Sequence, residues 1–147
     1  MEVKWDSEND QYFIKQKLSS GQTMFMCFQL YEEPMDAARW NIVLGIYNKR
    51  KHTDRNETNA IITGKNPLES FVVARKMFIK LEHEVLTSYY GREYDTIIYC
   101  CWVDNRRRDA YYKVLSRYGY DYGVIDGHKV IYKRFQKGTY ESREEMK

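Results

Sequence analysis

In the first third of the chain apolar and polar positions alternate; beyond residue 66 they recur at spacings of three and four. Tyr12 to Leu18 alternates weakly, and Ser19-Ser20-Gly21-Gln22 supplies turn chemistry. Thr23 to Glu33 sets Met24, Met26, Phe28 and Leu30 on one face and Phe25, Cys27, Gln29 and Tyr31 on the other. A strand that is apolar on both faces is expected at the centre of its sheet. Pro34 ends it, and Arg39 to Tyr47 (RWNIVLGIY) reads as a third, β-branched and aromatic strand. Together the three predict an antiparallel meander. The polar run NKRKHTDRNETN, residues 48–59, is expected to be a surface loop, and Ala60 to Thr63 to add a short strand.

Asn66-Pro67-Leu68-Glu69 carries the marks of a helix start: a capping residue, proline at the first helical position, and glutamate at the third. Leu68, Phe71, Val72, Arg75, Phe78, Ile79, Glu82, Val85, Leu86 and Tyr89 follow at helical spacing, and the pattern predicts that they form the inward face, with Gly91 as the stop. Such a helix would run roughly 35 Å at about 1.5 Å per residue, enough to cross a sheet. Asp95 to Val103 (DTIIYCCWV) reads as a buried strand. Asp104 or Asn105 then caps a second helix with Ala110, Tyr111, Val114, Leu115 and Tyr118 inward and Gly119 at its end. Asp126-Gly127 is a two-residue type I′ turn, so Asp121 to Ile125 and His128 to Phe135 form a hairpin.

The expected fold is therefore α/β in the α+β sense: one domain over residues 1–147, with a single mixed, mainly antiparallel sheet and two helices in the order β-β-β-(β)-α-β-α-β-β. A strand, a crossover helix and another strand imply at least one parallel pair. Residues 136–147 read as a frayed charged tail.

Composition narrows the class. Hydrophobic residues make up 43% and charged residues 31%, which suffices for a packed core. The chain holds 14 tyrosines, whose apolar rings and polar tips suit half-wet surfaces as well as cores. The net charge of +3 is mild, so local clusters matter more than the total. Cys27, Cys100 and Cys101 have no zinc spacing, and the adjacent pair does not favour a disulfide, so all three are expected to be reduced and no metal site is expected. MEVKWDSEND is acidic and polar, unlike a secretory leader. No apolar run approaches the roughly 18 residues of a membrane helix. These features predict a cytoplasmic protein, or one packaged from a cytoplasm into a virion, without membrane contact.

Residues Thr63 to Phe135 resemble the C-terminal half of the GCN5-related N-acetyltransferase (GNAT) superfamily. Thr63-Gly64-Lys65-Asn66 stands before the long helix, Tyr111 and Tyr112 lie on the second helix, that helix ends Tyr118-Gly119-Tyr120, and the hairpin is GYDYGVIDGHKVIYKRF. The resemblance implies acetyl-CoA as ligand, with Thr63, Gly64, Lys65 and Asn66 at its pyrophosphate and Tyr112 or Tyr111 as general acid. The same stretch is similar to small proteins of bacteria and their phages that share a Thr-Gly loop, a long helix, a buried strand and an Arg-rich second helix. Two departures from the superfamily pattern bear on chemistry. The loop has one glycine where the family has two, and Leu115 occupies the position of the family's tyrosine.

Two basic clusters are candidate partner sites. Arg106-Arg107-Arg108 opens a helix, where cations oppose the macrodipole by about 0.3–1 kcal/mol each, so an anionic partner would account for them. Lys49, Arg50 and Lys51 form a basic stretch of loop diluted by Asp54 and Glu57. Three functions follow from these features. The first is a non-catalytic GNAT-like module, of phage or mobile-element type, that binds a protein or nucleic-acid partner. The second is an acetyl-CoA-dependent N-acyltransferase. The third is a structural component of a larger assembly.

Overall fold

The computed structural model describes residues 1–32, 36–48 and 67–140. Seven strands form one sheet: β1 (Lys4–Asp6), β2 (Gln11–Lys17), β3 (Gln22–Glu32), β4 (Ala37–Asn48), β5 (Asp95–Cys100), β6 (Asp121–Ile125) and β7 (His128–Phe135). Among the described residues three α-helices accompany them: α1 (Pro67–Thr87), the five-residue α2 (Tyr89–Glu93) and α3 (Asn105–Leu115). The strand order is β1-β2-β3-β4-β5-β7-β6. Every pair is antiparallel except β4 with β5, so the sheet is mixed and mainly antiparallel, as the pattern predicts.

The meander forms as β2-β3-β4, with β3 in the interior of the sheet. Alternation along β3 buries Met24, Met26 and Phe28 against the helices, where they meet Ile14, Trp40 and Ile42 from neighbouring strands. A smaller cluster of Ala37, Ile97, Tyr99 and Val130 occupies the opposite face. The hairpin also forms as expected, with Asp126 and Gly127 both at positive φ (50° and 81°), the signature of its turn. β1, with too few residues to show a period, extends the meander by pairing Trp5 with Tyr12.

Three expectations need correction. First, α1 is rotated relative to its predicted face. Its buried residues are Ser70, Ala74, Met77, Phe78, Leu81, Val85 and Leu86, whereas Leu68 is 75% exposed and Val72 and Ile79 are each 46% exposed. Apolar residues occur around much of this helix, so spacing alone admits two stripes. Small Ser70 and Ala74 let the helix sit close to the sheet, and packing selects their side.

Second, α1 stops at Thr87, not at Gly91. The Thr87 hydroxyl donates to the His83 carbonyl (2.8 Å) and the Ser88 hydroxyl to the Val85 carbonyl (2.6 Å). Ser88 is extended (φ −70°, ψ 171°), and the chain restarts as α2. Gly91 lies inside α2, where a Cβ would come 2.3 Å from the Leu86 carbonyl oxygen; only glycine permits this close approach. Third, β5 ends at Cys100, three residues early, for a reason that also shapes the site below.

Asn66, the predicted cap, lies outside the described residues, as does the expected strand at 60–63. Glu69 accepts hydrogen bonds from the Ser19 backbone and hydroxyl (3.2 and 2.9 Å), tying the start of α1 to the β2–β3 turn. The expected tail begins as an attached segment: Lys137 N–H donates to Asp95 (3.0 Å), Gly138 N–H to the Gly91 carbonyl (3.0 Å), and Tyr140 packs edge-on against His83. Residues 141–147 lie outside the described region. No helix among the described residues is long and apolar enough to cross a membrane.

The rotation of α1 has a direct test in urea unfolding. Leu81→Ala removes a fully buried side chain and is expected to cost about 2–5 kcal/mol. Ile79→Ala, two residues away on the outer stripe, is expected to stay within about 0.5 kcal/mol of the parent.

Candidate functional site

The sheet opens where its one parallel pair ends. β4 and β5 pair from Ala37 with Asp95 to Asn41 with Tyr99. β4 then continues to Asn48 beside β3, while β5 stops at Cys100. The early stop follows from Asp104, whose carboxylate accepts the Arg107 backbone N–H (2.8 Å) and caps α3 in extended conformation. The chain must leave the sheet to make that cap. Beyond Asn41, the outer edge of β4 therefore has no ladder partner among the described residues.

The gap is an apolar cleft of about 230 Å³, walled by Asn41, Ile42 and Leu44 on one side and by Cys100 to Val103 on the other, with Tyr111 and Leu115 of α3 above it. Asn41 faces the Tyr99 side of the sheet, opposite to Ile42 and Leu44, and its amide oxygen is buried without a hydrogen-bond partner. Such an orphan acceptor costs about 1–3 kcal/mol, which a ligand N–H would offset. Next to the cleft, sharing Val114, runs a groove of about 330 Å³ between α1 and α3. Its floor is Leu68, Phe71 and Val72, part of the outward stripe of α1, and its rim carries Arg75, Lys76, Lys113 and Arg117.

The predicted site residues separate in space. Tyr111 is buried and lines the cleft. Tyr112 instead stacks on Tyr122 (4.3 Å between centroids, 17° between planes), and its hydroxyl donates to Asp121 at 3.4 Å. Arg107 is used structurally, its guanidinium gripping the Asp104 carboxylate that it caps beside. Arg108 pairs with Asp109 at 3.0 Å, and Arg106 is exposed. Thr63, Gly64, Lys65, Asn66, Lys49, Arg50 and Lys51 lie outside the described residues.

Sequence reading missed Asn41, which looks like one more strand residue, and the rim cations. Lys113, near the end of α3, and Arg117, in the 3-10 turn Ser116–Tyr118 that follows it, are four apart, a signal that was available; their meeting with Arg75 and Lys76 depends on how that segment packs on α1. All three cysteines are reduced thiols, Cys27 and Cys100 buried and Cys101 exposed. Burial pushes the Cys100 thiol up to about 12 and also raises that of Cys101, so neither is a ready nucleophile at neutral pH. Among the described residues, no three His, Cys, Asp or Glu side chains gather as a metal would require.

Burial also governs the tyrosines. It pushes Tyr99 up to about 12 and raises Tyr111 further. Tyr120 is raised by burial and by the Glu82 carboxylate, to which its hydroxyl donates at 2.8 Å. In the unfolded chain all three ionise near pH 10. Above that pH the folded state retains more protons than the unfolded state, so stability falls as pH rises. Thermal midpoints are expected to hold up to about pH 10 and to decline above it, and Tyr111→Phe to flatten that decline. No protein-family model matches this chain, and no curated protein and no solved structure is found to be similar to it.

Proposed function

We propose that this protein is a non-catalytic, acetyltransferase-like binding module that takes an acyl-CoA-type ligand in the groove and cleft. The observation that carries the reading is the junction of two surfaces with different chemistry: a cation-rimmed groove adjoining an apolar cleft whose lining includes Asn41, a residue with a buried, unpartnered amide oxygen. A ligand with an anionic head, an amide-bearing arm and a small apolar end suits that sequence of environments. The head would meet Arg75, Lys76, Lys113 and Arg117, an arm N–H would meet Asn41, and the acyl end would displace water from the cleft. Element order adds support, since a parallel pair bridged by a long helix is followed by a second helix and a hairpin, as the GNAT resemblance implies.

The same geometry argues against turnover. Tyr111, the tyrosine at the cleft, is held protonated by burial, well above the roughly 8.5 of an ordinary thiol. Its hydroxyl therefore gives up a proton less readily than an ordinary tyrosine does. Tyr112 is stacked outside the cleft, and the side chain at 115 is an apolar leucine.

Acetyl-CoA at 100 times its dissociation constant is expected to add ~2.7 kcal/mol to stability, readable as a thermal shift. Lys113→Glu with Arg117→Glu should weaken binding at least ~10-fold, by reversing two rim charges about 1.4 kcal/mol in all. Absence of any shift at millimolar acetyl-CoA rules the ligand out. Acetyl transfer to amines that disappears in Tyr111→Phe would replace the binding role with an acyltransferase.

A further inference from the structure

A second surface lies at the corner of the sheet, on the helix-bearing face and beyond the start of α3. The edge strand β6 projects Tyr122 and Val124 toward this face, and they are 45% and 65% exposed. Trp102, just past β5, meets Tyr122 at 6.0 Å and 80°, while Tyr112 of α3 stacks on Tyr122 from its own side. Trp102, Tyr122 and Val124, with Gly123, Arg108 and Lys129, wall an open hollow of about 510 Å³.

The corner is firmly built. Gly123 has no side chain because Tyr132 needs the room: a Cβ at 123 would come 2.1 Å from that ring. Tyr132 thus braces the edge strand from behind. Asp121 fixes the front, accepting the Tyr122 backbone N–H at 2.8 Å and the Tyr112 hydroxyl.

Charge and aromaticity point to one class of occupant. Arg108 and Lys129 line the hollow, and Arg106 is exposed two residues before Arg108. Of the nearby acids, Asp121 is engaged by two donors and Asp109 by Arg108 through its Nε and Nη2, which offsets part of the Arg108 charge and leaves its Nη1 facing away from that pair. Farther out on the hairpin, Asp126 is paired with Arg39 at 2.7 Å. What is left is a set of half-exposed π-faces beside cations, the combination by which proteins hold unpaired bases and the phosphates between them. An acidic peptide would use the cations and leave the rings idle. A duplex would hide its base faces from them.

We infer that this corner binds single-stranded nucleic acid, with a base stacked on Tyr122 and edge-on to Trp102 and its flanking phosphates on Arg108 and Lys129. The site is independent of the acyl-CoA reading and shares only Trp102 with the cleft. The test is fluorescence anisotropy of a labelled oligothymidylate titrated with the full chain across a salt series, with a duplex of equal length and polyglutamate as competitors. Saturable binding is expected that weakens with salt and resists both competitors. Tyr122→Leu should weaken it ~5- to 150-fold, the span of a lost stacking contact, while Tyr122→Phe keeps the ring and the affinity. Lys129→Gln should reduce the salt slope by about 0.7. The inference fails if no saturable binding occurs, if polyglutamate competes as well as unlabelled oligothymidylate, or if Tyr122→Leu binds as tightly as Tyr122→Phe.

Discussion

The parallel pairing of β4 with β5 is the constraint from which the rest of the architecture follows. Parallel neighbours cannot be joined by a tight turn, because the chain must travel back to the same end of the sheet before it can pair again. The return here is made by α1, whose 21 residues span about 32 Å and cross the sheet over β2 and β3. The crossing supplies Met77, Phe78, Leu81 and Val85 to the main core, where they close over Phe28 and Met24. Phe78 also meets Tyr118 and Tyr120 at 5.2 and 5.4 Å, so the crossover helix is joined to the segment that leads into the hairpin. Each such ring pair contributes about 0.5–1.5 kcal/mol beyond its buried area.

The same pairing accounts for the cleft. Five residue pairs hold β4 to β5, and then Asp104 draws the chain out to cap α3. A strand edge without a partner is ordinarily a liability that proteins cover or blunt. Here α3 roofs it with Tyr111 and Leu115, leaving a largely apolar gap with Asn41 among its lining residues. Cap and cleft are thus two results of one local choice, since a strand that continued in pairing through Val103 would have closed the gap.

The chain's modest positive charge is distributed with some purpose. Arg107 braces a cap, Arg39 pairs with Asp126 in the hairpin turn, Arg134 pairs with Asp95 across strands, and Lys133 donates to the Tyr118 carbonyl at the end of the 3-10 turn Ser116–Tyr118 that follows α3. Two groups of cations among the described residues, at the α1–α3 groove and at the β6–β7 corner, lie beside exposed apolar or aromatic surface. Cations beside apolar surface suit ligands that are part anionic and part flat or greasy. An overall charge of +3 conceals this because both acids and bases are spread along the whole chain.

How much was legible in the sequence depends on the range of the interactions involved. Period two along residues 12–47, the Asp126-Gly127 turn and the Asp104 cap are local, and they determined the meander, the hairpin, the start of α3 and the mixed sheet. The face of α1 was not determined, because its apolar residues offer two stripes and only contact with β2 and β3 selects the one holding Ala74 and Leu81. The stop at Ser88 depends on hydroxyls turning back on the helix, which competes closely with one more helical turn. The candidate sites belong almost wholly to tertiary structure. Asn41 gains its isolation only when β5 departs, and Lys113 meets Arg75 only when two helices pack. Tyr122 becomes a platform only at a sheet edge beside Trp102 and Tyr112. Local chemistry chose the elements, and long-range packing chose which of their side chains were left facing outward together.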